Sequence, residues 1–129
     1  MRILVDTNVI VSGLIAKGIC SEILEDLNYS HTPIITPYVL AECQEVLFHK
    51  FHLSKMTVKS LLNVMERYYT KGENSTKLLN VCRDPDDNQI FADALINKVD
   101  VILTGDKDLF IIERHEGIKI IGPKDYWKL

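Results

Sequence analysis

The chain has 129 residues, 47% hydrophobic and 26% charged, which is the size and balance of one globular domain with a single sizeable core and excludes a disordered chain. Its formal net charge of −3 argues against a surface coated for polyanions, although a local basic rim is compatible with it. No apolar run reaches the length of a transmembrane helix, and a predicted strand begins within two residues of the first methionine, so neither a membrane span nor a secretory leader is expected.

Ile3-Leu4-Val5 is a short apolar run that stops at Asp6 and reads as a central parallel strand. Asp6-Thr7-Asn8 offers capping side chains for a helix carrying Val9, Ile10, Leu14 and Ile15, and Gly18 breaks it. Ser21 is the predicted cap of a second short helix with Ile23, Leu24 and Leu27 inward. Pro33 to Thr36 reads as the second strand, and Pro37 opens a helix that runs to about Phe48. Ser54 caps another helix, with Val58, Leu61, Leu62, Met65 and Tyr69 inward. Lys71 to Ser75 reads as a polar loop and Lys77 to Val81 as a short third strand. Asp84-Pro85-Asp86-Asp87 is a helix start, and that helix runs to about Lys98. Val101 to Thr104 is a strand closed by Gly105, and Ile118 to Ile121 is the last strand. Strands alternating with helices predict βαβ units, hence an α/β fold with a parallel sheet and flanking helices, in one domain over residues 1–129.

Four acids fall at informative places in this pattern. Asp6 and Asp106 follow buried strands, where open α/β sheets bind their ligands. Glu42 shares a helical face with Val39, Cys43 and Val46, and Asp87 with Ile90, Phe91 and Ala94, so both are predicted to point towards the sheet. Asp86 and Asp93 lie one step off that face. Charges at core-facing positions need compensation, and carboxylates packed together raise one another's pKa. A hard divalent cation relieves that repulsion. Mg²⁺ suits an all-oxygen site that also takes substrate phosphate, and such an ion supports phosphodiester cleavage. The expected ligands are Asp6, Asp87 and Asp106, with Glu42 catalytic beside them. Asn8 and Thr104 are expected to orient carboxylates or water, and Asp108 to stand as an outer carboxylate.

Each acid also has a plainer reading. Asp6 is a ready N-cap, Asp84, Asp86 and Asp87 suit a helix N-terminus, Glu42 fits a solvated helix edge, and Asp106 and Asp108 fit a turn. Convergence of four independent positions on one sheet edge is what favours a site. Cys20, Cys43 and Cys82 are widely spaced and fit reduced thiols of a cytoplasmic protein. His31, His49, His52 and His115 share no pattern and read as surface or satisfied partners. Tyr68-Tyr69 reads as one surface and one core residue. Lys50, Lys55, Lys59 and Arg67 read as a solvated face in preference to a basic wall.

Asp6-Thr7-Asn8 after an apolar first strand resembles the opening of PIN-domain nucleases. Glu42 in an early helix resembles their second acid, Asp87-Asn88-Gln89-Ile90-Phe91-Ala92-Asp93-Ala94 the helix start that carries the third, and Thr104-Gly105-Asp106-Lys107-Asp108-Leu109 their Thr-X-Asp segment. Together with Arg83-Asp84-Pro85-Asp86-Asp87-Asn88, these strings are most similar to the VapC-like toxins of toxin–antitoxin systems. The resemblance covers essentially the whole chain in order. It implies Mg²⁺ or Mn²⁺ dependence, endoribonuclease cleavage of single-stranded or structured RNA, a small antitoxin protein as partner and a homodimer. Asp86 competes with Asp87 for the third acid, and helical phase favours Asp87.

Other function classes make distinct demands. A HAD-like phosphohydrolase wants a second Asp two residues after Asp6, where Asn8 stands, and would form a phosphoenzyme. A receiver domain wants an acid adjoining Asp6 and a phosphoacceptor Asp near mid-chain, and has neither here. A non-catalytic PIN scaffold that binds RNA or protein would bind without metal-dependent cutting.

Overall fold

In a computed structural model of the chain, residues 1–77 and 85–129 are described, Asp86 by its backbone alone. The elements are β1 (Arg2–Val5), α1 (Thr7–Ile15), α2 (Ile19–Ser30), β2 (Thr32–Ile35), α3 (Pro37–Glu45), a π-helical turn (Val46–Lys50), α4 (Lys55–Tyr68), β3 (Thr70–Lys71), α5 (Pro85–Ile96), β4 (Val101–Leu103), α6 (Lys107–Phe110), β5 (Arg114–His115), β6 (Ile118–Ile121) and a closing 3₁₀ segment (Pro123–Lys128). The described strands form one sheet in the order β3-β2-β1-β4-β6-β5. All pairings are parallel except the β5–β6 hairpin. Its two-residue turn, Glu116 and Gly117, has positive φ at both positions, 46° and 83°, the geometry that matches the twist of hairpin strands.

The pleat divides the apolar residues between two cores. Ile3, Val5, Ile35, Val101, Leu103 and Ile121 face one side, covered by α1 to α4 and Tyr126. Leu4, Ile34, Ile102, Ile118 and Ile120 face the other, under Phe91 and Ala94 of α5 and Leu109 of α6. Burial on both faces is why these strands are continuous apolar runs, and it confirms the α/β/α reading.

Capping sets where the helices begin. Asp6 caps α1, its carboxylate accepting from Thr7 N–H. Thr36 caps α3, with Pro37 at the first helical position, and Ser54 caps α4. The second helix starts earlier than predicted: Gly18 is the cap, and Ser21 lies inside, its hydroxyl bonding Gly18 N–H and C=O, both at 2.8 Å. The third strand of the sheet is Thr70–Lys71, paired with Ile34 and Ile35, within and just before the segment read as a loop. The predicted strand to Val81, the cap at Asp84 and Cys82 lie outside the described residues, as does the side chain of Asp86. Among the described residues, no single helix is long and apolar enough to cross a membrane.

Candidate functional site

From β1 the chain crosses to β2 on one side and later returns to β4 on the other. The gap above β1 and β4 is therefore a topological switch point, where crossover helices diverge and leave a crevice at the carboxyl ends of the strands. Asp6 ends β1, and its N–H still bonds Leu103 C=O of β4 at 2.9 Å. Thr104 ends β4, its N–H bonding Ile121 C=O at 3.0 Å. Two parallel ladders thus hold Asp6 and Thr104 side by side.

The side chains extend this frame. Thr104 is fully buried, and its hydroxyl donates to Asp6 Oδ2 at 2.7 Å while accepting from Asp106 N–H at 3.0 Å. Thr7 N–H donates to Asp6 Oδ1 at 2.8 Å. The Thr7 hydroxyl donates to Glu42 Oε1 at 3.0 Å, which ties α3 to α1. Gly105 N–H donates to Asn8 Oδ1 at 3.3 Å, and Asp108 N–H to Asp106 Oδ1 at 2.9 Å. Asp87 lies in the first turn of α5, where the helix dipole favours a carboxylate.

Asp6, Glu42, Asp87 and Asp106 all line one cavity of about 350 Å³, together with Asn8. Asp6 is 7% and Asp87 8% exposed, whereas Glu42 and Asp106 are half-buried. Burial pushes the Asp6 carboxyl above its usual range, against the lowering effect of the Thr104 and Thr7 bonds, and Asp106 adds repulsion. Behind Glu42, burial pushes the Cys43 thiol up to about 12, with Glu42 and Asp6 contributing, so it stays a neutral packing residue.

All four predicted acids line this one cavity with Asn8, and Thr104 bonds the Asp6 carboxylate and the Asp106 N–H. Asp108 is exposed and outside the cavity lining; it meets the site through its backbone N–H. Asp93, read as off the buried face, is 1% exposed. Its Oδ1 accepts from Ser75 N–H and from Gln89 Nε2, neither of which lines the cavity. Sequence reading missed Lys50 and Phe51, which line the same cavity. The usable signal was spacing: Val46 and Lys50 follow Glu42 at successive intervals of four.

Among the described residues, no three His, Cys, Asp or Glu side chains close directly on one point as ligands of an ion. The four acids share a cavity with space between them. An all-oxygen donor set around such a space fits Mg²⁺, which retains several waters and takes one or two carboxylates directly.

The family model described as PIN domain matches residues 2–108. A chain in the crystal structure of VapBC2 from Rickettsia felis bound to a DNA fragment from their promoter is similar in fold, with a TM-score of 0.69 and 18% identity over 95% of this chain and 98% of that one. No curated protein matches. With the family model spanning both strands that carry the site and all four acids, the chain belongs to the PIN domain family.

Proposed function

We propose that the protein is a divalent-metal-dependent endoribonuclease that hydrolyses RNA phosphodiester bonds, acting as the toxin of a toxin–antitoxin pair. The observation that carries the catalytic part is the convergence of Asp6, Glu42, Asp87 and Asp106 on one cavity at the switch point of the sheet. Asp6, Asp87 and Asp106 would hold Mg²⁺ or Mn²⁺. Bound there, the ion supplies positive charge and Lewis acidity for the attacking water and the leaving oxygen. Asp6 is pre-oriented for ligation because Thr7 N–H and the Thr104 hydroxyl occupy one lone pair on each of its oxygens. Glu42, fixed through Oε1 by Thr7, faces the cavity from α3 and takes the proton of the attacking water. Similarity in fold to a chain of a VapBC complex supports the toxin role and an antitoxin protein as partner.

Purified protein should cut RNA with Mg²⁺ or Mn²⁺ and stop on addition of chelator. Asp6→Asn should abolish cutting with an unchanged far-ultraviolet circular dichroism spectrum. Undiminished cutting by Asp6→Asn would remove the acidic cavity from the mechanism. Metal-independent RNA binding without cleavage would favour a non-catalytic scaffold.

A further inference from the structure

We propose that Lys50 and Phe51 form a subsite on the wall of the acidic cavity that stacks an unpaired RNA base on the Phe51 ring and pairs an adjacent phosphate with Lys50. The single-strand preference that the family resemblance implies would act in this chain through these two residues. This inference rests on the nuclease reading of the cavity.

Helix α3 ends at Glu45 and runs into a π-helical turn over Val46–Lys50, closed by Phe51 N–H on Val46 C=O at 3.2 Å. In an α-helix the residue five past Val46 points well away from it, because the turn closes after four. An i→i+5 closure instead brings the fourth and fifth residues to either side of the starting direction. Val46 lines the cavity one turn beyond Glu42, and Lys50 and Phe51 line it in the next turn. The slip in the ladder therefore brings an aromatic ring onto the cavity wall beside the cation that helical spacing already places there. Turns of this kind concentrate at functional sites.

The turn is anchored. His52 takes a left-handed φ of 53°, and Leu53 N–H bonds Leu47 C=O at 3.1 Å, which closes the helix end. Leu47 is fully buried, and Leu53 packs against the same core. Between those two anchors Phe51 keeps 37% of its surface exposed. Its backbone is thus fixed while part of the side chain stays open, and with Lys50 over one face of the ring a base would take the other. Lys50 Nζ lies 5.8 Å from the ring centroid, and Lys50 is the one cation among the described residues that line the cavity. A carboxylate-walled cavity repels phosphate, so a cation at its rim has a defined use. Base stacking needs an open π-face, which a base-paired duplex does not offer.

The test uses a single-stranded RNA oligomer, the same oligomer with one abasic nucleotide beside the cleaved bond, and its duplex. Steady-state cleavage and fluorescence anisotropy are both read. Phe51→Leu should raise KM for the intact oligomer about tenfold with kcat little changed, the loss expected of one stacked base. Wild type should lose a similar factor on the abasic oligomer, to which Phe51→Leu should be indifferent, and Phe51→Tyr should restore binding. Lys50→Gln should weaken binding and lower the slope of log affinity against log salt by about one. Equal losses for Phe51→Leu on intact and abasic oligomers, or an unchanged KM, would overturn the subsite alone. Abasic-sensitive binding that depends on Phe51, with no cleavage by wild type, would overturn the nuclease reading and leave the subsite standing.

Discussion

Thr104→Val removes one hydroxyl and keeps the side-chain volume, which makes it a sharp probe of how the two central acids are held. In the wild-type protein that hydroxyl donates to Asp6 Oδ2 at 2.7 Å and accepts from Asp106 N–H at 3.0 Å, in a position with no solvent exposure. Loss of a hydrogen bond to a charged group costs about 1.5–3 kcal/mol, and loss of the neutral one about 1 kcal/mol. The buried methyl of Val offsets about 1 kcal/mol of this. We expect a net loss of about 2 kcal/mol at neutral pH in urea denaturation with chelator present, and a Tm lower by roughly 8 °C. Thr104→Ser keeps the hydroxyl and should lose only about 1 kcal/mol, for the buried methyl. The pH dependence has a definite sign. Burial already holds the folded-state pKa of Asp6 above the ordinary carboxylate value, so stability declines as pH rises from the unfolded value through the folded one. Removing the Thr104 donor pushes that folded pKa higher and steepens the decline. The deficit of Thr104→Val should therefore be full where Asp6 is ionised and shrink as pH falls through the folded pKa. A variant as stable as wild type at neutral pH, or a deficit that does not shrink in acid, would refute the view that this hydroxyl stabilises a buried carboxylate.

Two further substitutions probe packing and a second buried acid. Gly13→Ala should destabilise by about 1 kcal/mol in urea denaturation: its Cβ would meet Leu24 Cγ at 2.8 Å and Cys20 C=O at 3.0 Å, and overpacking of about 1–3 kcal/mol outweighs the gain of about 1 kcal/mol in helix propensity; a stabilised variant would show that α1 and α2 part without cost. Burial holds the Asp93 carboxyl above its ordinary value, partly countered by Ser75 and Gln89, so it contributes a loss of stability as pH rises through that raised pKa. Asp93→Asn should flatten that part of the stability–pH curve while leaving metal-dependent cleavage intact, and an unchanged curve would contradict the assignment.

The acids could be read from the chain because their positions depend on local pattern. Ile3-Leu4-Val5 and Val101-Ile102-Leu103 are buried on both faces, which makes them continuous apolar runs, and Asp6 and Thr104 simply follow them. Asp87 shares the phase of Ile90, Phe91 and Ala94, all buried in the second core. Glu42 shows the limit of the same reasoning. The inner stripe of α3 is Val39, Cys43 and, past the helix end, Leu47, and Glu42 is beside that stripe, half-buried and held by Thr7.

Features that depend on partners distant in sequence left no such mark. Thr70 and Lys71 are both exposed and too few to show a period; only their pairing with β2 makes them a strand. Asp93 is buried because the stretch before residue 78 closes over α5, with Ser75 N–H on its carboxylate and the Asn97 side chain bonding Glu73 N–H and C=O at 3.0 and 2.8 Å. Nothing in the phase of α5 announces that second cover. Phe51 is the most telling case, since regular helical periodicity assigns it to a different face from Val46. One hydrogen bond closed over five residues in place of four reverses that assignment. A carboxylate at a strand end is fixed by the ladder beneath it, whereas the face presented by a helix end depends on a register that a single slipped bond can change. The acidic half of this cavity was therefore legible in the sequence, Lys50 was marked there by its spacing from Glu42 and Val46, and the aromatic residue became so only with the backbone in view.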